Sequence, residues 1–142
     1  MDTSYDNDVV AWASEQAALL RSGKLDAIDV LNIAEEIEGV ARDEEREFGR
    51  RFGSLLMHLL KWQYQKAWRC VYWRETIAEK RRVVSYHLGD TPSLSNLFDD
   101  QDWLDIVWSD AARRLRDETG LDFPERCPWP VTKVLDGDFF PA

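Results

Sequence analysis

The sequence predicts an all-α fold, a single-domain helical bundle over residues 1–142 with about four main helices and a Pro-rich C-terminal tail. Apolar residues recur every three or four positions through most of the chain, and no segment alternates with the two-residue period of a strand. Capping residues, glycines and prolines divide these stretches into helix-length segments. With 142 residues, of which 44% are hydrophobic, the chain can bury one modest core.

The first helix is predicted to begin after Asp6–Asp8, whose side chains can accept hydrogen bonds from the free N–H groups of a first turn. It ends near Gly23, because glycine readily adopts the left-handed conformation that closes a helix. Its inward face, at helical spacing, comprises Val9, Trp12, Ala13, Gln16, Ala17 and Leu20.

The second helical segment is predicted to be capped by Asp26 or Asp29, and if it were one helix from Val30 to Trp62 it would have 33 residues. A straight helix of that length spans about 50 Å, whereas a compact chain of this size has a radius of gyration of roughly 14 Å. The pattern therefore leaves open whether the helix is continuous, kinked or broken near Gly39 to Gly53. We expect Gly49 and Gly53, one turn apart, to let another helix or a large aromatic ring pack closely.

A third helix is predicted to follow the irregular stretch 64–70 and to end at residues 89–92, where proline follows glycine. A fourth helix begins at Asp102 and closes at Gly120. The prolines beyond it predict extended chain, with one last helical turn over residues 131–135.

The net charge of −9 at pH 7 is unevenly distributed. Residues 41–89 carry a net charge of +5, whereas residues 1–40 and 90–142 each carry −7. The simpler interpretation is that the flanking acids partly neutralise the basic middle in the folded chain. The alternative is an exposed cationic face for a polyanion, which the overall negative field opposes.

No segment approaches the ~20 apolar residues that cross a bilayer, and the acidic start lacks the features of a signal peptide. We therefore expect a cytoplasmic protein without membrane contact. Cys70 and Cys127 lack the spacing of a zinc or redox motif, and a reducing compartment favours two free thiols.

Several motifs along the chain resemble, in the same order, those of the bacterial family called domain of unknown function 29, found mainly in cyanobacteria and proteobacteria. These motifs are Tyr5-Asp6, Trp12, Glu15-Gln16-Ala17, the run from Asn32 to Glu38, the run from Met57 to Gln65, Trp73, Thr76-Ile77, Glu118-Thr119-Gly120, Cys127-Pro128-Trp129, and the ending from Leu135-Asp136 to Phe139-Phe140-Pro141.

This resemblance implies an all-helical single domain. It implies no activity and no catalytic residue, because the family has none assigned. The chain departs from the family pattern at Lys66-Ala67-Trp68 and at Arg69 to Tyr72, which concerns the connection between the second and third helices.

His58 could share a site with Glu75 and Glu79 if a turn near residues 64–72 folds the third helix over the second. One imidazole and two carboxylates could hold a metal ion or form an acid–base pair. The alternative is a hydrogen-bonded core histidine, with both acids pairing with arginines or facing water. We expect His87, near a helix end, to interact with the helix dipole. No enzymatic motif occurs, so the sequence favours a non-enzymatic role, and no cofactor is predicted.

Trp68 and Trp129 lie in irregular segments, where a tryptophan can either anchor a loop or face a partner. Between residues 66 and 82 aromatic residues alternate with bases, as in single-strand nucleic-acid binders, although arginines equally pack over a protein's own rings. The candidate partner-binding residues are Trp68, Trp129, Arg69, Arg74, Arg81 and Arg82.

These observations predict a helical interaction module that acts by self-association or by binding a protein partner. Its long amphipathic faces and seven tryptophans support this interpretation. Nucleic-acid binding through residues 66–82 is one alternative, and a metal-dependent enzyme using His58, Glu75 and Glu79 is another.

Overall fold

The structure, a computed structural model, describes residues 4–142 and confirms the all-α prediction, since no strand occurs in that range. The four main helices are α1 (Val9–Arg21), α2 (Val30–Tyr64), α3 (Val71–Asp90) and α4 (Gln101–Thr119). Two 3₁₀ helices (Lys66–Trp68 and Pro92–Asp99) and the short helix α5 (Val131–Val134) connect or follow them.

Contacts divide the chain into two compact units, which we call the N-terminal unit (up to Glu44) and the C-terminal unit (Glu45–Ala142). Helix α2 contributes residues to both. That the two units form a single domain stays a prediction.

The N-terminal unit is organised by hydrogen bonds around the buried ring of Trp12. Its indole N–H donates to Oδ2 of Asp29 at 3.0 Å, and the backbone N–H of Asp29 donates to Oε1 of Gln16 at 2.7 Å. Asp29, not Asp26, caps α2, since its Oδ1 accepts from the backbone N–H of Asn32. Two residues of the predicted inward face of α1, Trp12 and Gln16, are therefore buried in contact with Asp29.

Both ends of α1 are as predicted, but part of its predicted apolar face is not buried. Asp8 caps the first turn by accepting from the N–H of Ala11 at 3.1 Å, and Gly23 takes a φ of 72° just beyond the helix. Val9, Ala13 and Leu20, which we expected to lie inward, are exposed.

Helix α2 is continuous, which answers the question that the pattern left open. Gly49 and Gly53 are used for packing, as predicted. Gly49 faces Trp103 and Val107 of α4, and a Cβ atom at Gly53 would lie only 3.4 Å from Cγ1 of Val107. Helix α4 can therefore approach the backbone of α2 closely.

The core of the C-terminal unit is built from the second half of α2, from α3 and from α4, with a cluster of four aromatic rings at one end. This cluster comprises the rings of Phe48, Phe52, Phe98 and Trp103. The distance between the centroids of any two of these rings is between 5.2 and 6.2 Å. The fully buried members of this core include Leu55, Leu56, Leu59, Leu60, Ile77, Val84, Trp108, Leu115 and Val134.

Helix α4 begins one residue earlier than predicted, because Asp100 caps it by accepting from the N–H of Trp103 at 3.2 Å. It ends at Thr119, and Gly120 takes the left-handed conformation with a φ of 75°. Residues 120–130 then form no helix or strand.

The last segment of the chain is held by Arg81 of α3, whose side chain is 4% exposed. Its guanidinium donates to the carbonyl oxygens of Val134 at 2.9 Å, Gly137 at 3.3 Å and Phe139 at 2.5 Å. Three backbone acceptors that α5 and the following turn leave free are thereby satisfied.

Candidate interaction surface

The connection between α2 and α3 is a fixed turn, although the pattern predicted only an irregular stretch. The N–H of Trp68 donates to the carbonyl of Gln65 at 3.0 Å, which closes the 3₁₀ helix. Arg69 fixes it from the other side by donating from Nε to the carbonyl of Trp62 at 2.7 Å and from a terminal nitrogen to the carbonyl of Pro141 at 3.3 Å. Its guanidinium also lies 4.8 Å from the centroid of the Trp62 ring.

This fixed turn presents large apolar side chains to solvent. Trp68 is 69% exposed, and Val71 and Tyr72, in the first turn of α3, are exposed to a similar extent. A tryptophan normally buries most of its ring in a core or an interface. We call Trp68, Val71 and Tyr72 the Trp68 surface.

An open groove of about 580 Å³ lies beside Trp68, between the turn and the end of α4. On one side Nζ of Lys61 lies 6.0 Å from the centroid of the Trp73 ring and 3.5 Å from Oε2 of Glu118. On another side the ring of Tyr64 is held edge-on against Phe123 at 5.0 Å. The groove therefore combines aromatic walls with one compensated charge pair.

Lys66 adds a positive charge to the lining of this groove. It is exposed and has no ion-pair partner among the residues that the structure describes. The groove thus offers apolar surface together with an uncompensated cation, which suits a segment that carries a large apolar side chain and a carboxylate.

Most of the arginines that the sequence nominated for a partner are engaged within the chain itself. Arg81 is buried on three carbonyl oxygens, so it is not accessible to a partner, and Arg69 holds the turn. The guanidinium of Arg74 lies 4.4 Å from the centroid of the Phe140 ring, and Arg82 is paired with Glu79. The intramolecular interpretation of the basic aromatic segment is the one that the contacts favour.

Trp129, the other candidate tryptophan, anchors its loop. It is half-buried, with its ring edge-on to Trp108 at 5.6 Å and to Phe139 at 6.1 Å. Of the two tryptophans in irregular segments, only Trp68 is exposed to solvent.

The three residues considered for a metal or acid–base site lie in different surroundings, since His58 is half-buried and both glutamates are exposed. Nδ1 of His58 lies 2.7 Å from the carbonyl oxygen of Ser54, and burial lowers the pKa of this histidine. Glu75 and Glu79 are exposed, and Glu79 pairs with an arginine of its own helix. Within residues 4–142 no group of three or more histidine, cysteine or acidic side chains could hold a metal ion. The metal-centred alternative is therefore set aside in favour of the hydrogen-bonded histidine.

His87 has a role that the sequence interpretation missed. It is buried, with Nδ1 3.1 Å from a terminal nitrogen of Arg51 and its ring edge-on to Phe48 at 5.4 Å. The sequence did indicate that His87 is buried, because position 87 lies one turn after Val84 on the same face as Ile77.

The family model described as domain of unknown function DUF29 matches residues 4–140 and confirms the family resemblance of the sequence. No curated protein and no solved structure matches the chain. Every helix in the described part of the chain is too short or too polar to traverse a bilayer. Both cysteines are free thiols.

Proposed function

We propose that the chain, which belongs to the DUF29 family, acts by binding another protein through the Trp68 surface. The observation that carries this proposal is the exposure of a tryptophan on a turn that Arg69 holds in place. Tryptophan and tyrosine are the residues most enriched at the energetic centres of protein interfaces.

The expected gain on binding is large enough to matter. Covering the exposed part of the Trp68 ring removes roughly 150 Å² of apolar area from water, which at about 25 cal/mol per Å² stabilises a complex by roughly 4 kcal/mol before entropic costs. Because hydrogen bonds fix the backbone of the turn, little conformational freedom is lost there on binding.

The charges around the groove favour a protein over a nucleic acid as the partner. The arginines of this region are engaged with carbonyl oxygens, rings or a carboxylate of the same chain. With a net charge of −9 the chain also repels a polyanion at long range. An apolar residue next to an acidic one, on a second copy or on a different protein, fits the aromatic groove and Lys66.

The proposal is tested by placing a photo-crosslinking amino acid at Tyr72, which is 72% exposed, in the full chain in its native host. We expect a discrete protein adduct, and its mass distinguishes the two classes of partner. An adduct of twice 16.6 kDa indicates self-association, and any other mass indicates a different protein. The matched control is the same crosslinker at Tyr86, which is 78% exposed on the same helix but outside the Trp68 surface.

Replacing Trp68 with alanine in the crosslinking chain should weaken the Tyr72 adduct at least tenfold, since loss of a hot-spot side chain costs about 2 kcal/mol or more. The melting temperature of this variant should match that of the parent, because the ring is exposed. Identical adducts at both tyrosines, an adduct indifferent to Trp68→Ala, or one that nuclease removes would each overturn the proposal.

A further inference from the structure

A second hollow, separate in its residues from the Trp68 surface, lies in the C-terminal unit between α2, α4 and the segment that leads into α5. Its volume is about 230 Å³. The walls are mainly apolar, and they include Phe52, Leu56, Leu104, Trp129, Val131 and Val134.

The residues that form the walls of this cavity are fixed by contacts with other parts of the protein, so the cavity keeps its shape without a ligand. Phe52 and Val134 are fully buried core residues. Trp129 is packed against Trp108, and the carbonyl of Val134 accepts a hydrogen bond from Arg81. The prolines on either side of Trp129 further restrict the backbone of the covering segment.

The polar groups at the cavity carry no uncompensated charge. Oδ1 of Asp105 accepts a hydrogen bond from the amide of Gln101 at 2.8 Å, and its Oδ2 lies 3.5 Å from a terminal nitrogen of Arg126. The thiol of Cys127 donates to the carbonyl of Trp129 at 3.3 Å. Burial raises the pKa of this thiol, so it stays neutral at pH 7. No cationic side chain lines the cavity, and its one carboxylate, on Asp105, already has these two partners, so a charge on a ligand would gain little here.

We propose that this cavity binds a small neutral aromatic molecule of one or two rings. Apolar cavities of roughly 150 Å³ stay dry and accept benzene, and this one is about half as large again. The rings of Phe52 and Trp129 in its walls favour an aromatic occupant, because edge-to-face and offset contacts between rings add to the gain from burial.

Indole is the probe for this site, and heteronuclear NMR of the 142-residue chain measures its binding. We expect saturable 1:1 binding with a dissociation constant below about 1 mM, and shift changes centred on the cavity walls. Tryptamine and indole-3-acetate, which carry opposite charges on a similar ring system, should bind at least tenfold more weakly. Equal binding of the charged probes contradicts the proposed ligand class.

A cavity-filling variant provides the structural control. Leu104→Trp places an indole ring in the cavity and should abolish binding of free indole, whereas Ile106→Trp, on an exposed position of the same helix, should leave it unchanged. Unchanged indole binding by a folded Leu104→Trp variant overturns the proposal.

A second measurement leaves the cavity walls intact and does not depend on how the filling variant folds. In a Cys70→Ser background, Cys127 is the remaining thiol, and it lines the cavity. Saturating indole should slow its reaction with a thiol reagent at least fivefold. An unchanged rate of modification refutes occupancy of this site.

Discussion

Replacing Arg81 with methionine tests whether one buried guanidinium holds the C-terminal segment in place. The side chain is 4% exposed and donates to three backbone carbonyl oxygens. Methionine is shorter than arginine but, like it, unbranched and flexible, so it can fill much of the space of the aliphatic stem, and it donates no hydrogen bond. The variant therefore removes the donors and keeps most of the packing volume.

The expected loss of stability can be worked out from the carbonyl groups that the substitution leaves without a hydrogen-bond donor. Each hydrogen bond from a charged donor contributes about 1.5–3 kcal/mol, and a buried acceptor without a donor costs about 1–3 kcal/mol. Three carbonyl oxygens lose their donor together, but burying the charge has a desolvation cost of its own, which lowers the pKa of Arg81 and is relieved in the variant. We expect a net loss of about 3–5 kcal/mol in the free energy of unfolding of the C-terminal unit.

Urea unfolding followed by far-ultraviolet circular dichroism measures this loss, and hydrogen exchange over residues 131–142 locates it. The matched control is Arg82→Met, one residue away, where an exposed arginine pairs only with Glu79 and should contribute less than about 0.5 kcal/mol. Arg81→Lys keeps the charge but not the fork of donors, so its loss should be intermediate. If Arg81→Met and Arg82→Met unfold at the same urea concentration and exchange equally fast over the last twelve residues, Arg81 does not hold the C-terminal segment.

Three further predictions concern other parts of the chain. Trp12→Phe removes the indole donor to Asp29 and should destabilise the N-terminal unit by about 1–2 kcal/mol, which hydrogen exchange across α1 measures; unchanged exchange contradicts it. Gly39→Ala, in an open stretch of α2, should stabilise the protein by up to about 1 kcal/mol in thermal unfolding. Gly53→Ala should stabilise it less, because the new methyl group meets α4. A larger stabilisation by Gly53→Ala than by Gly39→Ala would be evidence against close packing at Gly53. Burial lowers the pKa of His58 below the usual histidine value, so the unfolded chain binds a proton more readily than the folded chain does, and stability should fall as the pH drops below about 6.5. His58→Asn should flatten this pH dependence of stability. A variant whose stability falls in parallel with that of the parent would show that the dependence arises from another group.

The candidate surface was predictable in part. Trp68 drew attention in the sequence because it falls where the helical period is interrupted, and the structure places it in solvent. Trp129 satisfies the same criterion, but its ring is packed against Trp108. The sequence could not distinguish the two tryptophans, because the residues that cover Trp129 come from α4 and from the end of the chain and not from its sequence neighbours.

The apolar cavity had no sequence signal. Its walls combine residues of α2, α4 and the covering segment, and no motif in the sequence links these three segments. A void depends on how well side chains from distant segments fill the space between them, which periodicity does not report.

The helices and most of their ends could be predicted from the sequence, because they depend on neighbours within a few residues. Asp8 caps α1, Gly120 closes α4, and the Gly-Asp-Thr-Pro run ends α3, each through hydrogen bonds or backbone angles that are local. Which of two adjacent arginines is buried could not be predicted in this way, because it depends on contacts with distant parts of the chain. Arg81 and Arg82 are chemically identical, and their different roles arise from carbonyl groups more than fifty residues further along the chain.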